Sequence, residues 1–397
     1  MEELILKWKN KGHELDFYAK KLIENRELPE KYYIFGAGIL GKALLFVLRA
    51  YGYKVLFIDN DLDKQGNKVE DILVISLEDY LKARDGQIIV SATIENMNII
   101  VEQLVNHSLK RDRDFWVYDE FVNYIFPVIS TYYHERSYVS LAQISLTERC
   151  SLKCKKCAHG CFAVDNKSAK DLTLNQVYKG ADSFFSKVDF IREFVLIGGE
   201  PLLYKELASV IEYVGKHYRD KIGILSITTN GTIIPDERTL NMSRKYRVLY
   251  RISNYSNRIP KLRYKYRSLI KILENKSVSY VLGKEEVEWM DYGFEYVDRK
   301  WEEDLEKVFD TCGTPCKEIR ENKFYYCVMA RSVSDNLKFN VGQNDFLDLD
   351  KLEGEGYKKE LLEFTLGYSE KGYLDMCNYC NGAEAKNYPI PAAEQME

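Results

Sequence analysis

The run Cys150-Ser151-Leu152-Lys153-Cys154-Lys155-Lys156-Cys157 decides how this chain is read. Its C-x3-C-x2-C spacing places three thiols on one short loop. Thiolates are soft ligands that select iron–sulfur clusters, zinc or copper(I) over harder ions. A cubane cluster has four irons and normally takes four cysteines. Three cysteines would hold three of those irons and leave the fourth open to bind and activate a small molecule. The bland alternative is a zinc site or a set of buried thiols. Zinc knuckles, however, usually pair two C-x2-C units or add histidines at fixed spacing, and the nearest histidine is His159, just past the loop.

The loop follows a strand-like run, Tyr138 to Leu146, and precedes Phe194-Val195-Leu196-Ile197-Gly198-Gly199-Glu200-Pro201. The cysteine spacing and the Gly-Gly-Glu-Pro sequence together resemble the radical S-adenosylmethionine (radical SAM) superfamily. The position before the third cysteine, usually aromatic or apolar in that family, is Lys156 here. The resemblance implies that Cys150, Cys154 and Cys157 bind a catalytic [4Fe-4S] cluster whose open iron is chelated by SAM. Gly198, Gly199 and Glu200 would meet the methionine amine. It also implies an electron donor such as flavodoxin or ferredoxin. Reductive cleavage of SAM would give a 5′-deoxyadenosyl radical that takes hydrogen from an unactivated C–H bond. The cofactor carries that chemistry, and the protein supplies position, electronics and exclusion of water.

The family core is a partial (β/α)6 barrel, expected over residues 126–305. Strand-like segments recur at Phe194–Ile197, Ile224–Thr228, Val248–Ile252 and Val278–Leu282, separated by charged helical stretches. In such folds reactive groups collect at the C-terminal ends of the strands. Thr229, Asn230 and Ser253 fall there and are candidates for the ribose or carboxylate of SAM. Asn230-Gly231 reads equally well as a turn dipeptide.

Upstream, residues 1–28 read as a polar helical lead-in, and residues 29–125 as a Rossmann-like, doubly wound parallel sheet. Lys31–Phe35 is a buried strand that runs into Gly36-Ala37-Gly38-Ile39-Leu40-Gly41 and a helix. In a G-x-G-x-x-G turn the first glycine permits the tight bend, the second lets backbone approach a phosphate, and the third packs helix on strand. The helix N-terminus then favours an anion. Asp59, at the end of the second strand, could accept from ribose hydroxyls. A nucleotide or dinucleotide is the ligand this pattern suggests; the alternative is that the glycines serve packing alone. The segment also resembles nucleotide-binding modules attached to bacterial enzymes of sugar and surface-polysaccharide metabolism.

Residues 306–397 carry a second cysteine group: Cys312, Cys316, Cys327 and the pair Cys377-Asn378-Tyr379-Cys380. This region resembles the twitch-type auxiliary cluster domain, a shortened relative of the SPASM domain. The resemblance implies a second [4Fe-4S] cluster held by Cys316, Cys327, Cys377 and Cys380, with Lys323–Tyr326 as the hairpin strand that delivers Cys327. Cys312 could replace Cys316 or simply pack. Cys161 reads as an unligated thiol. A zinc site is the alternative for the C-terminal cysteines.

Bulk composition narrows the class. The chain has 397 residues, 46% hydrophobic and 30% charged, as in an ordinary globular protein of roughly two or three domains. A net charge of −4 gives no nucleic-acid surface, and no apolar run is long enough to span a bilayer. The start reads as a charged amphipathic helix and not a signal peptide, so a cytoplasmic location is expected. Nine cysteines in a reducing compartment are better explained as ligands than as disulfides. The leading functional expectation is a radical SAM enzyme acting on a small polar, carbohydrate-like or nucleotide-sugar substrate by dehydrogenation or epimerisation. The twitch domain supports it by resemblance to aminocyclitol dehydrogenases. The alternatives are a peptide-modifying radical SAM enzyme and a non-catalytic iron–sulfur electron carrier.

Overall fold

The computed structural model describes residues 19–20, 22–23, 28–169, 171–294, 302–367, 372–382 and 388–396. Most of the expected lead-in helix lies outside them. The chain divides into two compact units, with the boundary between Ser140 and Leu141.

The first unit is built on strands β1 (Lys31–Phe35), β2 (Lys54–Ile58), β3 (Lys68–Val69), β4 (Ile72–Ile75), β5 (Gln87–Val90) and β6 (Phe115–Val117). Their order in the sheet is β3-β4-β2-β1-β5-β6. All neighbours are parallel except β3, which is antiparallel to β4. Helices α1 (Ile39–Ala50), α2 (Leu77–Ala83) and α3 (Ile94–Asn106) make the crossovers. This is the doubly wound layout read from the sequence. The chain reverses direction across the sheet between β1 and β5, and ligands bind such sheets at that switch point. The strands are buried because apolar residues such as Tyr33, Phe35, Ile88 and Val90 fill one continuous core.

A helix, α4 (Phe126–Tyr132), precedes the second unit's first strand, β7 (Tyr138–Ser145). There follow α5 (Leu174–Lys187), β8 (Phe190–Ile197), α6 (Leu207–His217), β9 (Ile222–Thr229), α7 (Glu237–Lys245), β10 (Leu249–Asn254), α8 (Leu262–Asn275) and β11 (Tyr280–Glu285). Thr173 caps α5 in a reciprocal capping box with Gln176, and Asp236 caps α7, which fixes where those helices start. Further elements are β12 (Glu288–Met290), α9 (Glu302–Asp310), β13 (Lys317–Arg320), β14 (Lys323–Tyr325), β15 (Phe346–Asp348), α10 (Tyr357–Leu366) and β16 (Pro389–Pro391), with short helical segments between them.

The main sheet runs β11-β10-β9-β8-β7-β13-β14-β15. The sixth parallel strand is β13. It joins beside β7 through Lys317↔Ala142 and Glu318↔Gln143, between β7 and the hairpin strands β14 and β15. The hairpin partner β14 is antiparallel to β13, as expected for the strand that delivers Cys327. A buried ion network locks this edge. The Arg331 guanidinium is 1% exposed and donates to Glu148 Oε1 at 2.6 Å and Glu318 Oε1 at 2.6 Å. Arg320 and Asn336 also reach Glu148, each at 3.0 Å. Glu148 lies just past β7, Glu318 on β13 and Arg331 in a short helical segment, Met329–Val333, after β14, so one cation ties three segments together.

Candidate active site

The Gly-Gly-Glu sequence at the end of β8 lies directly on the cysteine loop. Gly199 N–H donates to Thr147 O and Glu200 N–H to Arg149 O, both at 2.8 Å. A Cβ on Gly198 would stand 2.4 Å from the Thr147 carbonyl oxygen. One on Gly199 would stand 2.3 Å from that of Arg149 and 3.0 Å from Cys150 Cβ. Only glycine permits this approach. Glu200 is fully buried, and this chain itself takes up both its carboxylate oxygens. Oε1 accepts from Leu202 N–H at 3.1 Å and Thr229 Oγ1 at 2.8 Å, and Oε2 from Asn230 N–H at 2.8 Å. Burial pushes its carboxyl up to about 7 against the pull of those donors. Glu200 and Thr229 therefore join the ends of β8 and β9, a role their spacing does not reveal.

Asn230 makes the turn that its sequence suggests and also reaches the cysteine loop. Its Oδ1 accepts from Thr232 N–H at 3.0 Å, which makes the turn, while Nδ2 donates to Ser151 Oγ at 3.1 Å and reaches Cys150 Sγ at 3.5 Å. Asn166 brackets Cys150, accepting from its N–H at 3.1 Å and donating to its carbonyl at 2.7 Å. Cys150 and Cys154 are buried and Cys157 half-buried. Burial pushes the first two thiols up to about 12, and each also responds to the charge of Cys157. A hydrogen bond from Cys161 is the main cause that draws Cys157 below the usual thiol range. Cys161 thus stays off the triplet but partners its third member. Among the described residues, no group of three or more His, Cys, Asp or Glu side chains converges on a single-ion site. The fit to a [4Fe-4S] cluster rests on donor chemistry: a coordinated cation turns thiols that burial keeps neutral into thiolates.

Lys156 adopts a left-handed φ of 58°. Its Nζ donates to Gly293 O at 3.0 Å and pairs with Asp291 Oδ1 at 3.2 Å, with both side chains largely buried. The ammonium in the family's usual aromatic position is spent on this strut. Ser253 is hydrogen-bonded to the Tyr255 hydroxyl, whose proton is held by burial and by the nearby charges of Glu286, Cys154 and Cys157. Tyr255 therefore faces the cysteine loop. Nothing distinguishes it in sequence among 30 tyrosines.

The second cysteine group surrounds a small cavity. It is lined by Cys312, Cys327, Cys377 and Cys380, with Tyr292, Phe309 and Met376 among the apolar walls. Cys316 is not on that wall; its thiol is pushed up to about 11 by burial. Backbone N–H groups point at two of the sulfurs, Ala330 to Cys327 at 3.4 Å and Gly382 to Cys380 at 3.3 Å. Cys312 therefore lines the cavity with the other three, and Cys316 lies close by, since it acts on the Tyr292 hydroxyl together with Cys312, Cys327 and Cys380.

In the first unit, a cavity of about 510 Å³ opens at the switch point, lined by Gly36, Gly38, Asp59, Lys64, Ser91 and Thr93 among others. A Cβ on Gly36 would strike Ser91 O at 2.5 Å and one on Gly41 would strike Gly36 O at 2.0 Å, whereas Gly38 faces open space. Asp59 is already engaged. Its Oδ2 accepts from Ala37 N–H at 2.9 Å and Lys64 Nζ at 3.1 Å, and its Oδ1 from Asp61 N–H at 3.0 Å.

Residues 144–253 match the model of the radical SAM superfamily. The protein carries a radical SAM domain, and a [4Fe-4S] cluster with S-adenosylmethionine is the cofactor set that this family implies. A GTP 3′,8-cyclase from Ectopseudomonas mendocina is 33% identical over 97 residues, 24% of this chain and 27% of that protein. Molybdenum cofactor biosynthesis protein 1 from Dictyostelium discoideum is 40% identical over 94 residues, 23% of this chain and 14% of that protein. The chain therefore spans about a quarter or less of the length of these curated relatives. Among solved structures, BtrN in complex with AdoMet and 2-DOIA covers 65% of this chain and 97% of that one, at 17% identity and a TM-score of 0.36. Among the described residues, no helix is long and apolar enough to cross a membrane.

Proposed function

We propose that this protein is a radical SAM enzyme that oxidises a small polar substrate, a sugar or nucleotide-linked sugar, at a carbon bearing a hydroxyl group. The observation that carries the reading is the second set of thiols, Cys312, Cys327, Cys377 and Cys380, around its own cavity in the same unit as the cysteine loop. A cluster held there would supply an acceptor for the electron that alcohol oxidation must release. The switch-point cavity supports a nucleotide handle, since its one unobstructed glycine, Gly38, stands at the start of α1. The relatives named for GTP cyclisation supply a precedent for a nucleotide substrate.

In this reading Cys150, Cys154 and Cys157 hold the catalytic cluster. That cluster and SAM, when bound, supply a carbon radical able to take hydrogen from an unactivated C–H bond. Gly198 and Gly199 bring the β8 backbone against the loop, and Glu200 pins the end of β9 so that Asn230 can reach Cys150. The Tyr255 hydroxyl, within electrostatic reach of Cys154 and Cys157, is held protonated near the loop. Epimerisation is the second reading. It needs a hydrogen donor on the opposite face of the substrate, and the Tyr255 hydroxyl is the group the structure offers near the loop.

Iron and sulfide content after anaerobic reconstitution tests the proposal. The intact protein should hold about eight irons, and the Cys150/Cys154/Cys157→Ala variant about four. Cys312→Ala should lose most of the second set, while Cys316→Ala should keep it. About four irons in the intact protein and none in the triple variant would remove the electron acceptor and the oxidation reading with it.

A further inference from the structure

Residues 388–396 return to the cysteine loop. β16 pairs antiparallel with β12 through Trp289↔Ile390, and Ala392 and Ala393 behind it are fully buried. The backbone then pairs with the loop on both sides of Cys154. Lys155 N–H donates to Glu394 O at 2.6 Å and Met396 N–H to Lys153 O at 2.7 Å, flanking an antiparallel Cys154↔Gln395 bridge. An ion pair between Lys155 and Glu394 at 3.1 Å adds to the docking.

That register lays the Gln395 side chain on the Cys154 sulfur. Its neighbours fix which end of the amide points where. Lys153 N–H can only donate, so it faces Oε1, at 2.9 Å. The Ala393 carbonyl can only accept, so it faces Nε2, at 2.7 Å. The second N–H of Nε2 is thereby aimed at Cys154 Sγ, 3.1 Å away.

We propose that Gln395 is a positioning residue that tunes the cluster held by Cys154, donating a hydrogen bond to the cysteine sulfur and so raising the cluster's reduction potential. Reduction adds negative charge that spreads onto the ligand sulfurs. An N–H dipole aimed at one sulfur stabilises the reduced cluster more than the oxidised one. The contact is made through the ligand and does not touch SAM or substrate. The inference rests on the reading of Cys154 as a cluster ligand.

The test is an EPR-monitored redox titration of the full-length, anaerobically reconstituted protein, following the signal that responds to added SAM. Gln395→Met should retain its iron and shift the midpoint to a more negative potential than the parent. Glu394→Gln loosens the Lys155 pair but keeps the amide, and should leave the midpoint where it was. An unchanged midpoint in Gln395→Met overturns the proposal, as does an equal shift in Glu394→Gln, which would assign the effect to docking of the segment. Should Gln395→Met lose its iron, Gln395→Glu keeps an acceptor for Lys153 N–H. Its midpoint should then be more negative; an unchanged midpoint, or loss of iron there too, makes the residue a loop clamp and overturns the tuning role. A parent protein without iron would instead sink the cluster reading itself, which separates the two failures.

Discussion

Gly199 shows how much one missing methyl group settles. The strand end and the cysteine loop touch because neither Gly198 nor Gly199 carries a Cβ. Gly199→Ala must push the Arg149 carbonyl or the Cys150 side chain aside. Overpacking of this kind costs about 1–3 kcal/mol, and here the strain falls on the residue that carries the first thiol. The variant should be less stable in urea by that amount and should load markedly less iron at the first site, measured by iron analysis after reconstitution. Wild-type iron content in a folded Gly199→Ala protein would show that the loop is not fixed by this contact. The glycine pair was legible in the sequence because Gly-Gly-Glu-Pro resembles a motif of the radical SAM superfamily. The engagement of Glu200 was not legible, since its partners Thr229 and Asn230 come from the next strand.

Elements that read as long apolar runs were found where expected, β1, β2, β5 and β7 to β10 among them. The short strands β3 and β4 were missed because two and four residues of mixed exposure carry no period. The attachment of β13 was hidden for a different reason: it depends on charges far apart in the chain, which spacing cannot pair. Arg331 is the centre of that attachment. Replacing it with methionine leaves Glu318 buried without its guanidinium and Glu148 with Arg320 alone, a change that costs about 3–5 kcal/mol. Arg331→Met should lose that much stability in chemical denaturation. Adding Glu318→Gln to it should restore a substantial part, because the carboxylate left without a cation is then neutral. If the double variant is no more stable than the single one, packing of the side-chain stem and not charge holds the hairpin. The place of Cys312 on the cavity wall belongs to the same scale. The two cysteines flank Gly313-Thr314-Pro315, and only the folded path of that turn shows which thiol meets the cavity.

The cysteine loop and the switch-point cavity lie on different units, and a variant can separate them. The glycines of the first unit divide by the space around them. Gly36 and Gly41 are packed against backbone, so their reason is structural, while Gly38 has no atom within 4 Å of an added Cβ and borders the switch-point cavity. Asp59, the residue the sequence offers for a ribose, spends its carboxylate on Ala37, Asp61 and Lys64. That leaves the open face at Gly38, and the start of α1 behind it, as the part of the cavity able to take a phosphate. A leucine at position 38 would place its Cβ with no atom within 4 Å and project its side chain into this space, at a helix-cap cost of about 1 kcal/mol. Gly38→Leu should therefore keep its iron content and nearly all its thermal stability, yet bind nucleoside diphosphates at least tenfold more weakly in isothermal titration. Gly41→Ala, with a Cβ 2.0 Å from the Gly36 carbonyl, should unfold the unit instead. If Gly38→Leu binds nucleoside diphosphates as the parent does, or if the parent binds none, the cavity holds no nucleotide handle. The substrate would then have to be recognised by the radical SAM unit alone.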